Sequence, residues 1–193
     1  APFACPSAGF TDRPAPTSWD HAGIDFALNN GLFYGTSSPQ FSPSGAMTRA
    51  MLVTVLWRLD GRPAPKSSNP FQDVPVNQYY CDAVTWASEN NIVAGMGQGR
   101  FAPDASITRE QFVTVCARLA DWMELETYET DQGSFPDVTR DHWAARYVRE
   151  AARNGWVVGY PDGLFHGGDE ITRAEVVTIV NRMLGRVADE TYI

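Results

Sequence analysis

Long apolar runs and clusters of basic residues are both missing from this 193-residue sequence. No apolar stretch approaches the roughly 20 residues that a membrane-spanning helix requires. Lysine and arginine number 15 against 23 acidic residues, which gives a net charge of −8. A nucleic-acid partner requires a basic face that neutralises phosphates, so the charge balance argues against one. A few arginines that converge locally can still bind an anionic ligand.

Cysteine and histidine are also scarce, and neither forms a metal-binding motif. Cysteine stands at Cys5, Cys81 and Cys116, and histidine at His21, His142 and His166. There is no C-x-x-C or H-x-x-x-H spacing and no Cys/His cluster along the chain. The sequence therefore predicts no metal site, no cofactor and folding without metal. The cysteine pairing is left open, with free buried thiols favoured over a disulfide for Cys81 and Cys116.

Signatures of common enzymes are missing as well. No G-x-S-x-G nucleophile motif and no phosphate-binding glycine loop occurs. The three histidines occupy different positions of the repeat described next, so none belongs to a triplicated site. We predict that the chain is not an enzyme, and a hydrolase built on two carboxylates is the distant alternative.

One block of residues recurs three times with identical spacing. Its apolar, Ala, Gly, Phe, Thr and Arg positions are separated by 3, 8, 6, 7 and 1 residues, and the copies run over 24–49, 84–109 and 148–173. An aromatic residue stands five positions before each block, at Trp19, Tyr79 and Trp143. An F-x-D motif further upstream supplies Asp12, Asp73 and Asp137.

These copies predict three repeats at 1–59, 71–119 and 135–186. The linker 60–70 is rich in proline and is expected to be extended, whereas the acidic linker 120–134 is expected to continue the preceding helix for a turn. The tail 187–193 lacks a turn signal, as a segment cut from a longer protein would.

Each copy has the pattern of a helix, a loop and a second helix. The first helix is expected to end at Asn-Gly or Asn-Asn, which tolerate left-handed backbone. The second is expected to begin at Thr48, Thr108 or Thr172, with a reciprocal capping partner at Gln111 and Glu175 but not at Met51. One such unit cannot bury its own apolar faces. We therefore predict a mainly α fold, in which three helix–loop–helix repeats form one pseudo-threefold domain with a central helical bundle.

The arginine that follows each capping threonine is the residue that local helix physics does not explain. Arg49, Arg109 and Arg173 occupy first helical positions, where the helix dipole makes a cation mildly unfavourable. We therefore expect an acidic partner. Two alternatives stay open, an internal ion pair with Asp12, Asp73 or Asp137, and a bidentate clamp on a ligand carboxylate.

The recurring aromatic and glycine residues each have a structural and a functional interpretation. Trp19, Tyr79 and Trp143 are either lids over the core, which is the commoner role at a helix start, or platforms on which a sugar stacks. Beside them the aspartates would accept hydroxyl protons from the sugar. Gly35, Gly95 and Gly159 are expected to have special backbone dihedrals.

Together the motifs F-x-D-V, W-A, A-x-x-x-G, G-x-x-x-G-x-F and T-R-A-E resemble the S-layer homology repeat over about residues 10–186. The third copy fits best, and the first departs most. The resemblance implies a pseudo-trimer around a helical bundle, with grooves between neighbouring repeats that hold secondary cell-wall polysaccharide, often with pyruvylated amino sugars. It also implies ligand contacts by the three arginines first, and by the matching aspartates and aromatic residues next.

The leading hypothesis is a non-catalytic anchor, part of a longer surface protein at the bacterial cell wall, that binds acidic or pyruvylated polysaccharide without inserting into a membrane. The alternative is a protein–protein assembly module of a surface layer whose grooves are structural. We expect Arg109 and Arg173 to contribute more to binding than Arg49, because their capping partners fix the helix start and reduce the entropy lost on binding.

Overall fold

The fold of the described residues is helical. A computed structural model describes residues 5–125 and 134–185. Within these ranges there are six α-helices and a short 3-10 helix at Pro6–Gly9, and no β-strand. The α-helices are α1 (His21–Asn29), α2 (Arg49–Leu59), α3 (Cys81–Glu89), α4 (Arg109–Trp122), α5 (Ala145–Arg153) and α6 (Arg173–Met183). The prediction of a mainly α fold is confirmed, and the pseudo-threefold arrangement stays a prediction.

The chain divides into two compact units. One comprises Ala1–Ala46 and Ile171–Ile193, and the other comprises Met47–Glu170. In the first unit α1 packs against α6. In the second, α2 packs against α3, and α4 packs against α5. Each pair therefore joins the second helix of one repeat to the first helix of another.

The linkers and the tail are only partly described. The linker 60–70 contains no helix, because α2 ends at Leu59, and its extended course stays a prediction. Helix α4 continues into the acidic linker as far as Trp122, as expected, while residues 126–133 of that linker and the whole tail 187–193 lie outside the described residues. Across the described ranges, no helix combines the length and the apolar character that crossing a membrane requires.

The first helix of every repeat ends as its sequence predicts. Asn30, Asn90 and Asn154 stand at the C-caps, and their side-chain amides donate to carbonyls four residues earlier at 2.8–2.9 Å. The residues that follow have left-handed backbone, with φ of 64° at Gly31, 59° at Asn91 and 70° at Gly155. This conformation reverses the chain and turns it into the interhelix loop.

The second helices start at the predicted threonines. Both reciprocal capping boxes are present, Thr108 with Gln111 and Thr172 with Glu175. Thr48 accepts a hydrogen bond from the Met51 amide at 3.2 Å, but there is no capping box, since the Met51 thioether is only a weak acceptor for the Thr48 amide. The predicted difference between the copies is confirmed.

Three glycines in the loops between the two helices of each repeat have a different role from the predicted one. Gly35, Gly95 and Gly159 lack the positive φ that we expected of them. A Cβ atom at these positions would lie 2.6–2.7 Å from a phenylalanine ring carbon of the same repeat's F-x-D motif. The requirement for glycine therefore comes from a close approach, not from a special dihedral. The rings concerned pack on the fully buried Phe41, Phe101 and Phe165, with centroids 5.3–5.7 Å apart.

Candidate functional site

The recurring aspartates hold the interhelix loops in shape. The Asp73 carboxylate accepts hydrogen bonds from the amides of Phe101 and Ala102, both at 2.8 Å. Asp12 and Asp137 accept the corresponding amides of their own repeats at 2.7–2.9 Å. The second amide of each pair belongs to a residue with left-handed backbone, with φ of 54–59° at Ser42, Ala102 and His166. Each carboxylate thus secures a strained turn.

These hydrogen bonds also set the charge state of the aspartates. Burial raises the pKa of Asp73, but the amides of Phe101 and Ala102 and the charge of Arg100 outweigh it and lower the pKa below its ordinary value of 3.8. The Asp12 and Asp137 pKa values are lowered in the same way, against the effect of burial. A carboxyl whose pKa is lowered by folding stabilises the folded state above its unfolded pKa, and that contribution is lost as the pH falls through the folded pKa.

We therefore expect the stability of the protein to decrease as the pH is lowered below about 4. Asp73→Asn should remove one of the three contributions, so the fall between about pH 5 and pH 2 should become shallower. Urea denaturation at a series of pH values measures this pH dependence of the free energy of unfolding. Asp104→Asn, at an exposed position, is the matched control. An unchanged pH dependence in Asp73→Asn would contradict the role assigned to the Asp73 carboxylate.

The partners of Arg49 differ from the expected acidic group. Its Nε and Nη2 atoms donate to the carbonyl oxygens of Phe101 and Ala94, both at 2.8 Å. The guanidinium carbon lies 4.5 Å from the centroid of the Phe101 ring. Carbonyl oxygens and a ring face offset the unfavourable position at the helix start, so the charge needs no carboxylate in contact. Asp73 does not contact Arg49, but its negative charge opposes the lowering of the Arg49 pKa by burial.

The other two arginines repeat this arrangement. The Nε atoms of Arg109 and Arg173 donate to the carbonyls of Phe165 and Phe41 at 3.0 and 2.9 Å. Both guanidinium groups also lie over phenylalanine rings, at 5.0 and 4.6 Å from the centroids. In all three copies the arginine therefore joins its helix to the interhelix loop of another repeat.

Burial separates the three arginines. Arg109 and Arg173 are each 5% exposed, whereas Arg49 is half-buried. A side chain that contacts a ligand must be reachable from solvent. Arg49 is therefore the most accessible of the three, whereas we expected from the capping partners that Arg109 and Arg173 would contribute more to binding.

The recurring aromatic residues are open to solvent. Trp19, Tyr79 and Trp143 are 66%, 61% and 56% exposed. Each lies two residues before the first helix of its repeat, which begins at His21, Cys81 or Ala145. The interpretation as lids over the core is wrong, because these rings leave most of their surface uncovered. The alternative of a platform for a ligand ring is the one that agrees with the exposure.

A groove in the second unit brings one of the three recurring arginines together with one of the three recurring aromatic residues. It encloses about 510 Å³, including the part open to solvent. Its lining comes from all three repeats, namely Arg49, residues 93–96, Gln111, Thr114, Val115, Arg118 and Trp143. Two guanidinium groups and an exposed indole therefore face the same space. None of the three aspartates is among the lining residues.

Most of the lining residues were not predicted from sequence, among them Arg118, Gln111 and Met96. Arg118 lies near the end of α4, and Arg58 and Arg182 stand at the corresponding places in the other copies. This recurrence is the sequence signal from which Arg118 could have been predicted. Gln111 had been assigned to the capping box alone. Met96, which is 60% exposed, carries no sequence signal because a flexible apolar residue in a loop is common.

The structure also corrects the prediction that no metal-ligand cluster exists. Cys5, His21 and Asp25 place their sulfur, nitrogen and oxygen atoms within 4.8 Å of one another in the first unit. The prediction failed because it considered Cys and His spacing, and the cluster combines a distant cysteine with a His-x-x-x-Asp pair on α1. All three cysteines are free thiols, as favoured for Cys81 and Cys116.

Comparison with known proteins agrees with the repeat pattern. The S-layer homology domain profile matches residues 9–50, 70–113 and 134–177. The chain is 32% identical over 150 residues to the Cellulosome-anchoring protein of Acetivibrio thermocellus, covering 76% of this chain and 34% of that protein. It is 28% identical over 181 residues to Cell surface glycoprotein 1 of the same species, covering 89% of this chain and 8% of that protein.

An Endoglucanase of Bacillus sp. (strain KSM-635) is 29% identical over 185 residues, which covers 92% of this chain and 19% of the enzyme. The chain thus spans about a third or less of the length of these relatives. The three segments that match the profile together make up more than half of the sequence. The chain belongs to the S-layer homology domain family.

Proposed function

We propose that the chain is a non-catalytic module that anchors a longer protein to the bacterial cell wall by binding an acidic wall polysaccharide. Its family and its relatives, which are named as anchoring and cell-surface proteins, place it at the cell surface. The match to the endoglucanase covers less than a fifth of that enzyme, which suits a module joined to a separate catalytic part.

The observation that carries this proposal is the exposed Trp143 indole beside two arginines in one groove. An indole face packs against the C–H face of a sugar ring, which removes apolar surface from water. Arg49 and Arg118 supply donors for a carboxylate or another acidic substituent on that sugar. Because the net charge of the protein is −8, its surface as a whole repels anions. An anionic ligand should therefore bind at a local pair of cations such as this one and not elsewhere on the surface.

The aspartates have a positioning role in this proposal. The two oxygens of the Asp73 carboxylate each accept a hydrogen bond from a backbone amide. These bonds hold Phe101, whose carbonyl in turn accepts from Arg49 Nε. Asp73 therefore acts on the groove through the loop and through Arg49, rather than by contact with a sugar hydroxyl.

The assembly alternative is favoured by a different observation. Val76 and Tyr79, three residues apart on the surface of the segment before α3, are 87% and 61% exposed, and neither of them lines the groove. If this surface mediates assembly, the molar mass in solution should rise with concentration in the absence of glycan. Sedimentation equilibrium of the wild type and of Val76→Ser distinguishes this from glycan anchoring.

Titration with purified wall glycan tests the proposed function. We expect Arg49→Ala and Arg118→Ala each to weaken binding by about 1.5–3 kcal/mol, or roughly 10- to 150-fold. Removing the acidic substituents from the glycan should weaken binding to the wild type and abolish the difference between it and the variants. Arg140→Ala is the matched control, since Arg140 is exposed and does not line the groove. Equal binding of native and stripped glycan would overturn the proposal.

A further inference from the structure

A cluster of three side chains in the first unit has no part in the proposed sugar binding, which uses residues of the second unit. His21 and Asp25 are 1% and 0% exposed and stand one turn apart on α1. Cys5, which is half-buried, directly precedes the 3-10 helix Pro6–Gly9. Burying an imidazole and a carboxyl costs free energy even when they lie beside each other, because both groups lose their hydration. Such a cluster therefore requires an explanation.

The repeat itself does not require these residues. In the common register, Cys81 and Ala145 stand at the position of His21, and Thr85 and Arg149 stand at the position of Asp25. Helices α3 and α5 form without the pair, and Thr85 simply donates to the carbonyl of Cys81 at 2.8 Å. The cluster is thus an addition to the first copy.

The distances within the cluster are close to those around a tetrahedral metal ion. His21 Nε2 lies 3.3 Å from Asp25 Oδ2 and 3.6 Å from Cys5 Sγ, and Cys5 Sγ lies 3.0 Å from Asp25 Oδ2. Bond lengths of zinc to sulfur, nitrogen and oxygen of about 2.0–2.3 Å give ligand separations of roughly 3.3–3.6 Å in a tetrahedron. Two separations match, and the third has the length of a thiol-to-carboxylate hydrogen bond.

Outer contacts orient two of the donor atoms. His21 Nδ1 lies 2.9 Å from the Pro14 carbonyl, which can only accept, so Nδ1 carries a hydrogen. In the neutral imidazole this leaves the Nε2 lone pair facing Cys5 and Asp25. Asp25 Oδ1 accepts from the Ser7 amide at 2.9 Å, which directs Oδ2 into the cluster. Outer partners of this kind are typical of metal sites.

We propose that Cys5, His21 and Asp25 bind one zinc ion, with water as the fourth ligand. A thiolate, an imidazole and a carboxylate form a donor set that suits zinc and disfavours magnesium or calcium, which require oxygen ligands. On binding, zinc replaces the thiol proton of Cys5, which passes to solvent. The ion joins the segment before α1 to that helix. The other thiols do not compete, since burial raises the pKa of Cys116 far above its ordinary range and Cys81 is buried in the second unit.

Metal titration of the reduced, metal-free protein tests the proposal. We expect one equivalent of zinc to be withdrawn from a competing chromophoric chelator, and one equivalent of cobalt(II) to give a thiolate-to-cobalt charge-transfer band. Cys5→Ser should lose the band and weaken zinc binding by at least about tenfold, whereas Cys81→Ser should keep both. Zinc should raise the melting temperature of the wild type and of Cys81→Ser but not of Cys5→Ser.

Cys5 is the suitable position for the substitution because it is only half-buried, whereas changes at His21 or Asp25 risk unfolding. Loss of the band without loss of fold, checked by circular dichroism, supports the site. The absence of a band in the wild type, or a band that Cys5→Ser retains, overturns it. Neither outcome depends on glycan binding.

Discussion

Arg173→Ala should lower the free energy of unfolding by about 3 kcal/mol, or roughly 6–12 °C in melting temperature for a chain of this size. Arg173 is 5% exposed and donates to the carbonyls of Phe41 at 2.9 Å and of Tyr34 at 2.6 Å. Alanine removes both charge-assisted hydrogen bonds and leaves the carbonyls without these donors. It also removes the packing of the guanidinium over Phe41, 4.6 Å from the ring centroid.

Two substitutions complete this experiment. Arg173→Lys keeps the charge, but a single ammonium cannot reproduce the two-pronged geometry, so about half of the loss should remain. Arg100→Ala, at a position that is 67% exposed, should change stability by no more than about 0.5 kcal/mol. Chemical denaturation monitored by tryptophan fluorescence measures all three. A free energy of unfolding of Arg173→Ala close to that of the wild type would show that these contacts contribute little.

Much of the fold follows from local patterns in the sequence. The identical spacing of the three copies fixed the repeat, and Asn30 and Thr108 marked helix boundaries because their preferences act within a few residues. Thr108 and Gln111 satisfy each other through contacts three residues apart, so a single sequence suffices to predict them. Patterns of this kind carry no information about how the helices of different repeats are arranged.

The partners of the arginines could not be predicted for the same reason. Arg49 donates to carbonyls 45 and 52 residues away, and backbone carbonyls have no sequence signature. Asp73 recurs in step with Arg49 and therefore looked like its partner. Both recur because each contacts the same loop, the aspartate through amides and the arginine through a carbonyl. Two residues that recur together in a repeat can therefore share a neighbour without contacting each other.

The exposure of Trp143 could not be predicted from the sequence either. A tryptophan before a helix has a similar pattern whether it covers the core or faces solvent. Its surroundings depend on Arg49 and Arg118, which belong to other repeats. The cluster of Cys5 with His21 and Asp25 escaped prediction in the same way, since 16 residues separate Cys5 from His21.

Trp143→Ala should weaken binding of acidic wall glycan by about 2 kcal/mol, or roughly 30-fold, without loss of stability. The indole is 56% exposed, so its removal leaves no cavity in the core. It lines the same groove as Arg49 and Arg118, and in the proposed function it is the flat apolar surface on which a sugar ring packs. Trp122→Ala is the matched control, because Trp122 is 44% exposed and does not line the groove.

Calorimetric titration of purified wall glycan into Trp143→Ala, paired with its melting curve, is the most direct test of the groove. Groove binding predicts a loss of affinity or of one binding site relative to the wild type and Trp122→Ala, at an unchanged melting temperature. Affinity and stoichiometry equal to those of the wild type would contradict the assignment of Trp143 as a sugar platform and, with it, the proposed anchoring groove.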